Sequence, residues 1–109
     1  MKLKELAEKL ELKPVTQMFD KEITGVYISD MVSDVIANAK AGDLLVTVQI
    51  HNNVVAAANL VDLCAIVVTQ GKLPTDDVIK MAEKAEIPIY STTLTRWQIA
   101  TRLYEAGIR

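Results

Sequence analysis

The chain has 109 residues, half of them hydrophobic, and its 14 acidic and 12 basic side chains leave a formal net charge of −2. That length and apolar fraction suit a single domain over residues 1–109 whose core needs no disulfide or metal, and they exclude a second domain of ordinary size. The scattered, nearly balanced charge offers no basic stripe for nucleic acid.

The N-terminal Met1-Lys2-Leu3-Lys4-Glu5 runs straight into charged residues, unlike a secretory signal. The longest apolar run, Leu63 to Val68, is too short to span a bilayer. A cytoplasmic protein without membrane or nucleic-acid partners is therefore expected. The single cysteine, Cys64, lies inside that run, so it cannot form an intrachain disulfide and reads as a small buried hydrophobe.

Leu3, Leu6, Ala7 and Leu10 recur at helical spacing with Lys and Glu between them, which predicts an amphipathic helix from Lys2 to Glu11, stopped by Pro14. Beyond Val15, the β-branched and aromatic residues of Ile23 to Ser29 predict a strand. Asp30 can cap the next helix, which carries Val32, Val35, Ile36 and Ala39, and Gly42 suits its left-handed C-terminal position.

The chain then repeats itself. Leu44-Leu45-Val46-Thr47, Ile66-Val67-Val68-Thr69 and Pro88-Ile89-Tyr90-Ser91 are short apolar strands, each ending in a hydroxyl residue at an equal interval from the last. Amphipathic helices follow at Asn53 to Val61, Asp76 to Ala85 and Arg96 to Ala106. Asn52 or Asn53, Thr75, and Thr95 with Gln98 are their capping residues, and Gly107 ends the last.

Strands so apolar are buried on both faces, and their alternation with helices implies right-handed crossovers in a mainly parallel sheet. The expected fold is a three-layer α/β/α sandwich. Val46, Val67 and Ile89 should be central, with Leu6, Val35, Ala58, Ala82 and Leu103 packed between helices and sheet. The interval also fits leucine-rich repeats, but the Leu-x-x-Leu-x-Leu pattern is missing.

In open parallel sheets ligands bind beyond the carboxyl ends of the strands. That edge should carry Ser29, Thr47, Thr69 and Ser91, with Gln49, His51, Asn52, Gln70, Gly71, Lys72 and Thr93 in the loops. Neutral hydrogen-bonding groups of this kind suit a phosphate or a nucleotide. Backbone N–H groups around Gln70 and Gly71 and the helix starts would supply most of the attraction, and no cofactor is implied. The same hydroxyls also serve to end strands and cap helices.

The only histidine, His51, would need an orienting acid to act as a general base, with Asp20, Asp30 and Asp62 as candidates. Gly71-Lys72 is not a Walker A loop, because Ile66 and Leu73 stand where that motif needs Gly and Ser or Thr. One Cys and one His do not make an ordinary structural zinc site. Trp97, Tyr104 and Tyr27 are expected in the core, and for Met18-Phe19, in the loop before the strand, an exposed contact for another chain is the lesser alternative.

Asp20-Lys21-Glu22-Ile23-Thr24-Gly25, with Tyr27-Ile28-Ser29-Asp30, resembles the start of DRTGG-type domains, which are similar to the N-terminal domain of HPr kinase/phosphorylase. The strand ends at Ala41 to Thr47, Ala65 to Gly71 and Ile87 to Thr92 resemble that family's three successive strand ends. Ile50-His51 stands at the family's Asp-Arg pair, and Thr69-Gln70-Gly71 at its Thr-Gly-Gly. The Gln49-x-His51-x-Asn53 pattern resembles stand-alone members associated with iron-hydrogenase genes.

The resemblance implies a noncatalytic regulatory or assembly module, homodimeric, binding an adenine nucleotide or another phosphorylated metabolite. It also implies a hydrogenase-related or other metabolic enzyme as partner. Two other functions fit the residues less well: a small enzyme using His51, and a DNA-binding regulator built on the first helix, which lacks a recognition helix after Pro14.

Overall fold

A computed structural model describes residues 1–109. Its elements are α1 (Leu3–Lys9), β1 (Lys13–Pro14), β2 (Gly25–Ile28), α2 (Val32–Asn38), β3 (Asp43–Thr47), α3 (Asn52–Val61), β4 (Ala65–Val68), α4 (Asp76–Lys84), β5 (Ile89–Ser91) and α5 (Arg96–Glu105). One sheet carries the strands in the order β1-β5-β4-β3-β2. β2 to β5 are parallel, and only β1 runs against its neighbour β5.

The pleat sorts the apolar residues of each strand between two layers, because successive side chains point to opposite faces. Leu44, Val46, Ala65, Val67 and Tyr90 pack with Leu3 and Leu6 of α1 and Ile99 and Leu103 of α5. Leu45, Ile66, Val68 and Ile89 pack with Val35 of α2, Val55 and Ala58 of α3 and Ala82 of α4. The result is the three-layer α/β/α sandwich expected from the alternating pattern. Val46, Val67 and Ile89 are buried in the sheet, as are Leu6, Val35, Ala58, Ala82 and Leu103 beside it. No helix is long and apolar enough to cross a membrane.

The helix ends depart from the expected pattern. α1 closes at Leu10 and the left-handed Glu11 (φ 55°), before Pro14, which instead lies in β1. That two-residue strand has no sequence pattern of its own, and its pairing with β5 alone defines it. Met31, not Asp30, is the N-cap of α2, and His51, not Asn52 or Asn53, is the N-cap of α3. Thr75 takes the cap position of α4 without a side-chain bond, whereas Thr95 and Gln98 form the expected capping box of α5.

α2 stops at Asn38, so left-handed Gly42 (φ 85°) belongs to the turn into β3, where a Cβ would meet Thr24 Oγ1. Left-handed Gly107 follows α5 as expected.

The aromatic residues also differ from expectation. Trp97 and Tyr104 are 77% and 60% exposed, because α5 buries the stripe containing Ile99 and Leu103 and turns both rings outward. Tyr27 is half-buried, its hydroxyl donating to the Asp34 carboxylate. Met18 is partly buried against the α1/α5 layer of the core, against the lesser alternative of an exposed contact, and Phe19 is also partly covered.

Candidate functional site

The carboxyl ends of β2 to β5 form one edge, and the direction of the chain beyond each strand decides where that edge can open. The chain leaves β2, β3 and β4 toward the layer of α2, α3 and α4, but leaves β5 toward the opposite layer of α5. Loops that diverge in this way mark a switch point, here between β4 and β5, the usual place for a ligand in an open α/β sheet.

Loop-to-loop hydrogen bonds bridge this switch point. The Gln70 N–H donates to the Leu94 carbonyl at 3.0 Å, and the Gly71 N–H to the Thr92 carbonyl at 2.8 Å. The Ser91 hydroxyl donates to the Lys72 carbonyl at 3.2 Å. Gln70 and Gly71 are both left-handed, with φ of 61° and 70°, giving a tight turn of the primed kind between Thr69 and Lys72. The Gln70 and Gly71 N–H groups, expected to attract a ligand, are therefore already engaged. A Cβ at Gly71 would stand 3.9 Å from Thr93 Cγ2, so the backbone angle rather than close approach favours glycine there.

A second cluster centres on Asp30. Its Oδ1 accepts from the Thr47 hydroxyl at 3.1 Å and from the Val48 N–H at 2.9 Å. Its backbone carbonyl accepts from Gln49 Nε2 at 2.9 Å, and its Oδ2 pairs with the Arg96 guanidinium. Thr47 Oγ1 also accepts from the Gln49 N–H at 3.1 Å.

Between these two clusters lies Thr69. It is fully buried, and its Oγ1 is the buried side-chain polar atom without a hydrogen-bond partner. Val67, two residues earlier on the same face of the pleat, packs in the α1/α5 layer, so Thr69 is directed toward that layer. The bond from Gln70 to Leu94 joins the segment that starts α5 to the end of β4 at the residue next to Thr69.

The structure thus divides the predicted site residues. Thr47 and Gln49 join Asp30, while Gln70, Gly71, Ser91 and Thr93 belong to the loop pair that flanks Thr69. His51 and Asn52 lie elsewhere, in an open cleft of about 380 Å³ with Asn53, Thr75 and Asp77. Neither Asp20, Asp30 nor Asp62 lines that cleft. Ser29 makes a local turn, its hydroxyl accepting from the Met31 N–H at 3.2 Å.

Sequence reasoning missed Arg96 and read Asp30 as a helix cap or as an orienting acid for His51, not as the partner of Arg96 and Thr47. Their signals were faint: an acid directly after a strand, and a base directly after a helix cap. Cys64 is buried as expected, and burial pushes its thiol up to about 11.

Three comparisons bear on the fold and its family. The family model described as the DRTGG domain matches residues 5–106. No curated protein matches the chain. Among solved structures, the chain is similar to the CBS and DRTGG domains of the regulatory region of Clostridium perfringens pyrophosphatase, complexed with the activator diadenosine tetraphosphate. The TM-score is 0.70 at 18% identity, over 93% of this chain and 44% of the other. The chain therefore spans less than half the length of that structure, and the likeness is one of fold.

Proposed function

The chain belongs to the DRTGG domain family, and on that premise we propose that it is a noncatalytic regulatory domain. It binds a nucleotide or another phosphorylated metabolite at the carboxyl edge of its sheet. The observation that carries this reading is the Thr69 hydroxyl, fully buried at the divergence of the loops and without a partner. Such a group costs about 1–3 kcal/mol while unsatisfied, and a ligand oxygen that accepts from it removes that cost. The similar pyrophosphatase regulatory region, complexed with a nucleotide activator, supports a nucleotide as the ligand class.

The noncatalytic part of the reading is supported by the cleft that holds His51, which neither Asp20, Asp30 nor Asp62 lines and which does not include Thr69. The proposed protein is cytoplasmic and homodimeric. Exposed Trp97 and Tyr104 on α5 support self-association, because a second copy would remove their rings from water. A hydrogenase-related or other metabolic enzyme is the proposed partner, following the Gln49-x-His51-x-Asn53 resemblance. Similarity to the N-terminal domain of HPr kinase/phosphorylase belongs to the same proposal.

A thermal-shift screen of mononucleotides, diadenosine tetraphosphate and phosphorylated sugars tests the ligand. A native-state ligand at about a hundred times its Kd adds about 2.7 kcal/mol of stability. Thr69→Val should reduce the shift without unfolding the protein. No shift from any compound, or an equal shift in Thr69→Val, would contradict the proposed site. Light scattering on the wild-type chain tests self-association separately.

A further inference from the structure

Arg96 opens α5 in one layer of the sandwich, yet its guanidinium is held by Asp30, which follows β2 at the end of the sheet. The same carboxylate accepts the Thr47 hydroxyl and the Val48 N–H at 3.1 and 2.9 Å. Of the donors converging on this carboxylate, the guanidinium alone comes from the α5 layer, and it also suits phosphate oxygens.

Two further features belong to this edge. The Thr69 hydroxyl is buried and unpartnered, the Thr69 N–H donates to the Thr47 carbonyl and the Gln70 N–H donates to Leu94 in the segment leading into α5. The first-turn N–H groups of Arg96 and Trp97 have no carbonyl within their own helix to accept from them. Arg96 and Asp30 remain partly accessible, with side chains 43% and 27% exposed, so their contact can open without unfolding of the sheet.

We infer that the Asp30 carboxylate is a built-in competitor for the ligand: it holds Arg96 in the free protein, and a phosphate-bearing ligand takes its place. Arg96 then pairs with the phosphate and the Thr69 hydroxyl donates to it, while Asp30 keeps its bonds to Thr47 and Val48. The inference rests on the proposed ligand site and adds its regulation. A tethered carboxylate has a high effective concentration, so a displacing group must carry more charge than a carboxylate. A phosphate ester, with about −1.5 to −2 at neutral pH, meets that requirement.

Calorimetry on the full chain with inorganic pyrophosphate and ATP as probes tests the competitor. Asp30→Asn keeps an oxygen for Thr47 and Val48 but releases Arg96, and should bind pyrophosphate at least tenfold more tightly than wild type. Arg96→Gln should weaken binding more than tenfold, and Thr69→Val several-fold, with Thr69→Ser restoring it. In the wild-type chain, pyrophosphate should shift the Arg96 Nε–H resonance, a measurement that needs no variant.

If wild type binds ATP while Asp30→Asn binds either probe no more tightly, the competitor is overturned and the ligand site stands. An unmoved Arg96 resonance at saturating pyrophosphate overturns the competitor too. If no compound binds wild type or Asp30→Asn, the ligand reading falls as well.

Discussion

Asp30 and Arg96 meet across the ends of the parallel strands, joining the segment after β2 to the first turn of α5. The acid also accepts from the β3 end, so one side chain ties three parts of the edge together.

The two partners should contribute unequally to stability. Asp30→Ala strands the Val48 N–H and the Thr47 hydroxyl, an expected loss of about 1–3 kcal/mol. Arg96→Ala removes only a partly solvated ion pair, worth less than about 1 kcal/mol. Urea denaturation checks the order, and equal losses would place the stabilising effect in the ion pair instead.

Two threonines in equivalent places should respond in opposite ways. Thr69→Val removes a buried hydroxyl that has no partner, so the ligand-free protein should hold or gain stability, by up to about 1–3 kcal/mol. Thr47→Val removes a donor to Asp30 and an acceptor for the Gln49 N–H, and should cost about 1–3 kcal/mol. Thermal and urea melts of the two variants decide the point.

Two left-handed glycines separate backbone strain from close approach. Gly107 has φ 93° with nothing near its missing Cβ, so Gly107→Ala should cost only the left-handed penalty of about 1–2 kcal/mol. Gly42 has φ 85°, and a Cβ there would stand 2.2 Å from Thr24 Oγ1. Gly42→Ala should therefore cost clearly more than Gly107→Ala in the same denaturation assay.

Cys64 sets an alkaline limit. Burial raises its thiol from 9.0 to about 11 in the folded chain. The folded state thus holds the proton through a range in which the unfolded chain releases it. This contribution is fully present below about pH 9 and is lost as the pH rises toward 11. Urea melts at pH 8 and 10.5 should show the loss, and Cys64→Ala should flatten it. Labelling of the native thiol at pH 8 should be slow and should accelerate with urea.

The sandwich was legible in the residue order because burial leaves a local record. Apolar runs such as Leu44 to Val46 and Ile66 to Val68 mark strands covered on both faces, and Leu6, Ala82 and Leu103 mark the inner stripes of helices. The capping box of Thr95 and Gln98 was equally legible, since both partners lie within one turn. β1 was not, because two exposed residues carry no period and only β5 defines them.

The sequence by itself therefore determined the layers, the parallel strands and the hydroxyl-ended edge. Only the tertiary structure decided which edge groups are spent, which pair with distant partners and which stay free. Gln70 and Gly71 give their N–H groups to the loop after β5, Asp30 takes Arg96, His51 lies apart, and Thr69 alone keeps a buried hydroxyl unpartnered. Burial follows a periodicity written along a single segment, whereas a polar side chain's partner is set by which distant segments the packing brings within about 3 Å, the reach of a hydrogen bond.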